Sequence, residues 1–137
     1  MKDMKTRLSM LWIFAMFNYL YADVITLMDP ATLKAIIAGN VGVVPMNQGF
    51  LLGAAILMET AIAMVPLSLI LKYGVNRWAN IIIGVLHTAA VLASLFVGGT
   101  MPALYYLFFA TIEILCTSFV VWCAWRWKPA TTPTIGS

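Results

Sequence analysis

Three side chains able to hold or pass a proton, Glu59, His87 and Glu113, stand alone in otherwise apolar stretches of this sequence. Each lies about 10 residues, or some 15 Å of helix, inside one end of its stretch. If those stretches cross a bilayer, the three groups share a layer near its midplane. A charge at such a depth costs about 2.5–3.5 kcal/mol on insertion scales, so the groups should face one another and not lipid. Two adjacent carboxyls do not both ionise cheaply, which suits a proton-sharing pair. An imidazole beside them titrates near neutral pH in ordinary surroundings. Asn18 adds an amide at the same depth on a fourth stretch, where Tyr19 and Asp23 share a face about 140° away.

Three kinds of chemistry fit this set. Polar glue between helices is the plainest, but interhelical hydrogen bonds average only about 0.6 kcal/mol, and one Asn or Thr would supply as much with less desolvation. A binding or proton-exchange site is the second, with a small hydrophobic or cationic ligand among Phe14, Phe17, Tyr19, Tyr105, Tyr106 and Phe109. A metal site is the third, with Glu59, His87 and Glu113 as a carboxylate–imidazole set suited to iron, manganese or zinc. Against it, the Glu-x-x-His pairs of di-iron bundles are absent. The single histidine excludes bis-His haem ligation within one chain. The second reading is preferred, with Glu59 and Glu113 as the pair, His87 as their hydrogen-bond partner and Asn18, Asp23 and Tyr19 assisting. Its alternatives are an accessory or interaction subunit of a membrane complex and a metal-dependent enzyme; as a separate matter, the chain is compatible with a homo-oligomer. No catalytic residue and no cofactor are identified.

The elements that must position these groups are apolar helices. Of 137 residues, 63% are hydrophobic and 9% charged, against about 25% charged in soluble domains. Mean hydropathy is +0.96. So few charges cannot cover a soluble surface, and the chain reads as one all-α transmembrane domain, 1–137. Spans are expected at about 9–28, 49–71, 78–97 and 103–125 in up-down order. The basic start followed by an apolar run suggests a signal peptide, but Leu20 is large where a cleavage site wants a small residue, and the apolar run continues past Asp23. Asp29-Pro30 begins a short helix predicted to lie on the membrane surface, closed by Gly39-Asn40. Pro45 to Gly49 reads as a turn, Lys72 to Arg77 as a basic loop and Gly98 to Pro102 as a tight turn. Pro66 should kink the second span. The tail from Ala130 is polar and expected to be disordered.

Seven of eight Lys and Arg fall at the chain ends or in the loop after the second span, and only Lys34 falls elsewhere. By the positive-inside rule both termini are cytoplasmic. The same scatter provides no basic stripe for nucleic acid. Cys116 and Cys123 are seven apart on one helix, about 10 Å, too far for a disulfide. Glu59 and Glu113 sit in weakly similar segments offset by 54 residues, as a duplicated hairpin would place them.

With Asn18-Tyr19-Leu20-Tyr21-Ala22-Asp23, Met58-Glu59-Thr60, His87-Thr88 and Ile112-Glu113, the chain resembles a bacterial family of small four-span membrane proteins known as a domain of unknown function. The resemblance runs from about residue 5 to 128. In span count and size the layout is also similar to DoxX-like proteins. These resemblances imply four helices in a bacterial cytoplasmic membrane and carry no activity or site residues.

Overall fold

The computed structural model describes residues 2–97, 99 and 101–131. The described residues form five helices: α1 (Lys2–Met28), α2 (Pro30–Ile37), α3 (Gln48–Ile70), α4 (Tyr73–Val97) and α5 (Leu104–Arg126). Four of them, α1, α3, α4 and α5, are long and apolar enough to cross a bilayer. The expected turn at 98–102 and the tail beyond Thr131 fall partly or wholly outside the described residues.

Hydropathy marks the apolar part of a helix, whereas backbone hydrogen bonding decides where the helix ends. Thus α1 begins at Lys2, well before the apolar run, because Lys and Arg are good helix formers whose charged tips reach to the interface. The expected basic loop shrinks to Leu71 and Lys72, since Tyr73 to Arg77 already belong to α4. Asn76 stabilises this sharp corner by donating to Ser68 O at 2.6 Å and to Leu71 O at 3.4 Å. The short helix α2 is where it was expected, with Asp29 at its N-cap and Pro30 in its first turn. After it, the segment read as irregular contains a small hairpin, Asn40–Val41 paired with Val44–Pro45. Gly42, at φ 58°, makes its turn. The helix α3 continues through Pro66 to Ile70.

Buried positions follow helical spacing. On α1 they include Leu8, Trp12, Ala15, Tyr19 and Ala22, alternating three and four apart, with Ser9 beside Leu8. On α4 they include Asn76, Asn80, Gly84, His87 and Val91, and on α5 Ala110, Glu113, Thr117, Val120 and Ala124. The α4–α5 seam is the most extensive, α1 lies against both α3 and α5, and the α3–α4 seam is much thinner than these. Gly84 explains the close α4–α5 approach: a Cβ there would stand 2.6 Å from Val121 Cγ2. Cys116 and Cys123 are buried free thiols.

One end of the bundle is tied by hydrogen bonds from basic residues and Tyr73. Arg77 donates to Ala124 O and Trp125 O, both at 3.1 Å, at the end of α5. Tyr73 donates to Trp127 O at 2.7 Å, and Lys5 to Leu69 O at 3.3 Å. Towards the other end the packing loosens, and every residue of α3 from Gln48 to Ile56 is exposed.

Candidate functional site

The polar groups inside the bundle fall into tiers. The tier nearest the basic end is saturated. Asn80 Oδ1 accepts from Trp12 Nε1 at 2.8 Å and from Ser68 Oγ at 3.4 Å. Asn80 Nδ2 donates to Asn76 O at 2.9 Å and to Asn76 Oδ1 at 2.7 Å. All four hydrogen-bonding positions of this amide are used, and both asparagines are fully buried. This network joins α1, α3 and α4 and closes the bundle at that level.

The next tier is His87, 1% exposed. Its Nδ1 lies 3.0 Å from Tyr19 Oη, and its Nε2 lies 3.0 Å from Thr60 Oγ1. Thr60 donates its only hydroxyl proton to Leu57 O at 2.6 Å. With that proton on Leu57 O, Thr60 accepts from His87, and the tautomer assigned on this basis has the proton on Nε2 and Nδ1 accepting from Tyr19. One imidazole thus connects α1, α3 and α4. The edge of Trp12 lies against its ring, with centroids 5.6 Å apart, and couples this tier to the one below. Both ring nitrogens are occupied, which leaves His87 neither a free base nor a free metal ligand in this arrangement.

Beyond His87 the bundle opens into a cavity of about 170 Å³. Its polar wall is Tyr19, Asp23, His87, Ser94, Tyr106 and Glu113, and its apolar wall includes Ala22, Leu57, Met58, Val91 and Phe109. All four long helices contribute, although α3 supplies only Leu57 and Met58. Tyr106 donates to Ser94 Oγ at 2.6 Å and closes the rim between α4 and α5. Glu113 is 5% exposed, and its Oε1 is buried without a hydrogen-bond partner among the described residues. Buried polar atoms are nearly always paired, so this unmet carboxyl oxygen marks incomplete chemistry in the cavity wall.

The structure gathers only part of the expected set. Tyr19, Asp23, His87 and Glu113 line one cavity. Glu59 does not join them. It is exposed and lies in a groove between α1 and α3 on the outside of the bundle. The proposed Glu59–Glu113 pair is therefore not formed, and the second carboxyl at the cavity is Asp23. The two glutamates also occupy unlike settings, one exposed and one buried, so the 54-residue offset marks no structural equivalence. Glu59 does lie midway along α3, but the direction in which it faces depends on how α3 is rotated against its neighbours. Asn18 donates to Phe14 O at 2.9 Å on its own helix and is absent from the cavity wall. Of the expected aromatic lining, Tyr19, Tyr106 and Phe109 are present, whereas Tyr105 is not part of the wall and Phe14 and Phe17 are exposed on the outer surface. The metal reading loses its geometry as well: among the described residues no three His, Cys, Asp or Glu side chains are placed to hold an ion. The Asn76–Asn80–Ser68–Trp12 network was missed. Its signal was the Asn76/Asn80 spacing of four, hidden because Asn76 was read as loop.

Four long apolar helices enclosing a small, polar-ended cavity are the architecture of a multi-pass membrane protein. Within that class the chain belongs to DUF6326, a family of unknown function, whose family model matches residues 1–134. No curated protein and no solved structure matches it. The likeness to DoxX-like proteins rests on span count and size alone.

Proposed function

We propose that this protein binds a small amphipathic molecule with a cationic head, a primary amine being the simplest case, in the cavity between its helices. The observation that carries the proposal is Glu113 in the cavity wall with Oε1 unpartnered. An ammonium offers three donors and a compensating charge to this carboxyl and to Asp23. Tyr106 and Phe109 provide aromatic faces for the cation, and the Ala22, Leu57, Met58 and Val91 side receives the hydrocarbon part. A cavity of about 150 Å³ holds a molecule the size of benzene, so about 170 Å³ suits roughly six to ten non-hydrogen atoms.

The contrast between tiers supports binding over simple helix-to-helix glue. Glue is complete by itself, as at Asn80, where every donor and acceptor is used. The cavity is not complete by itself. The distribution of Lys and Arg supports up-down spans with both termini cytoplasmic, in a bacterial cytoplasmic membrane as the resemblance implies. The cavity then opens on the outer half, and the Asn80 network seals the inner half. That arrangement favours an outward-facing binding site over an open pore.

The test is calorimetric titration of the protein in nanodiscs with benzylamine and, as neutral counterpart, benzyl alcohol. Benzylamine should bind and benzyl alcohol should bind at least tenfold more weakly. A charge-assisted hydrogen bond contributes about 1.5–3 kcal/mol, so Glu113→Gln should weaken benzylamine about 10- to 150-fold. Equal affinity for amine and alcohol, or no loss in Glu113→Gln, overturns the proposal.

A further inference from the structure

Glu59 is a mid-span carboxyl that the cavity leaves outside. It stands at the midpoint of α3, eleven residues from Gln48 and eleven from Ile70, about 16 Å of helix in each direction. It faces a groove of about 600 Å³ whose other walls are apolar, among them Ile13, Phe17 and Leu20 of α1 and Ile62 of α3. Lipid tails offer no hydrogen-bond donor at that depth, and ionisable groups inside membranes nearly always face a protein interior or a water-filled space. Among the described residues Glu59 has no such interior, which leaves another chain to supply one.

The surroundings are shaped for a helix. Ala55 and Ala63 lie one turn to either side of Glu59. The rest of α3 from Gln48 to Ile56 is exposed, and a Cβ built on Gly53 meets nothing within 4 Å. Small residues let backbones approach closely in lipid. What identifies the partner is the carboxyl. This chain's own cations, from Lys2 to Lys128, all lie near helix ends or in connections, so none reaches the middle of a span. A second copy inserted in the same direction brings a second Glu59 to the same depth by symmetry alone. A protonated carboxyl both donates and accepts, so two of them are self-complementary across a two-fold axis.

We propose that the α1–α3 face is a homodimer interface in which α3 packs on α3 of a second copy and the two Glu59 carboxyls hydrogen-bond to each other at the bilayer midplane. The interface does not depend on the cavity or on its ligand.

The test uses the full chain in lipid vesicles. Energy transfer between donor- and acceptor-labelled copies is measured as the protein-to-lipid ratio falls, and oxidative cross-linking is measured for Ile56→Cys, exposed on α3, against Leu115→Cys, exposed on α5. Wild-type chains should associate, Ile56→Cys should cross-link, and Leu115→Cys should not. Glu59→Gln should keep the dimer, because paired amides also donate and accept. Glu59→Leu should need at least tenfold more protein per lipid to reach half association. Wild-type chains monomeric at all densities overturn the proposal, as does association unchanged by Glu59→Leu. Cross-linking through Leu115→Cys but not Ile56→Cys overturns it too, as does association only with a different protein. Should Glu59→Leu fail to fold, the cross-linking pair, which retains Glu59, still decides.

Discussion

His87 is the only histidine in the chain, so its hydrogen bonds can be tested without interference from any other imidazole. The geometry gives it a fixed order of donors: Tyr19 Oη to Nδ1, Nε2–H to Thr60 Oγ1, and Thr60 Oγ1 to Leu57 O. Thr60→Val keeps the side-chain shape and removes the acceptor of the Nε2 proton. Tyr19→Phe keeps the ring, whose centroid is 5.5 Å from that of the imidazole, and removes the donor to Nδ1. Each leaves one buried polar atom of His87 unpaired, a loss of about 1–3 kcal/mol. The two should differ. Tyr19 stands in the cavity wall, where water can replace its hydroxyl, whereas Thr60 is not part of that wall. Thr60→Val should therefore be the more destabilising, near the upper end of the range, and Tyr19→Phe nearer the lower. Thr60→Ser, which retains the hydroxyl, should recover most of the loss. Unfolding of purified protein in mixed micelles gives the stabilities, and nitrogen-15 NMR of histidine-labelled protein reports which ring nitrogen is protonated. A proton on Nδ1 in the wild type would refute the donor order. So would Tyr19→Phe costing more than Thr60→Val.

Other positions give equally direct outcomes. Trp12→Phe keeps an aromatic ring but removes the donor to Asn80 Oδ1, and should lose about 1–3 kcal/mol in the same unfolding assay. Gly84→Ala puts a methyl 2.6 Å from Val121 Cγ2 at the tightest helix seam, so stability should fall by about 1–3 kcal/mol, with partial recovery in Gly84→Ala/Val121→Ala. Arg77 places a cation on the last carbonyls of α5, where the helix dipole favours positive charge. Arg77→Ala should cost about 0.3–1 kcal/mol, and hydrogen exchange should rise first at the end of α5. Arg77→Lys should recover the charge but not the forked contact to Ala124 O and Trp125 O.

The sequence by itself determined the class of protein and how far along its helix each polar group lies. A span must be about 20 residues of apolar helix, and with a fixed rise of 1.5 Å per residue, position in the chain becomes depth in the membrane. Hence four long helices and the Asp29–Pro30 start of α2 could be read without coordinates. Helix ends were less legible: α1 reaches back to Lys2 and α4 to Tyr73 because charged and polar residues extend a helix beyond its hydrophobic run.

The tertiary structure alone decided which polar groups meet. Turning a helix changes no hydropathy value, yet it separates Glu59, which faces outward, from Glu113, which faces the cavity. It also brings Asp23, expected only as an assisting group, onto the wall that Glu113 shares. The saturated Asn80 network and the donor order at His87 depend on distances of about 3 Å between side chains up to 68 residues apart in sequence. Rise along a helix is a property of the backbone, the same for every residue. The direction in which a side chain points is settled only when several helices pack together.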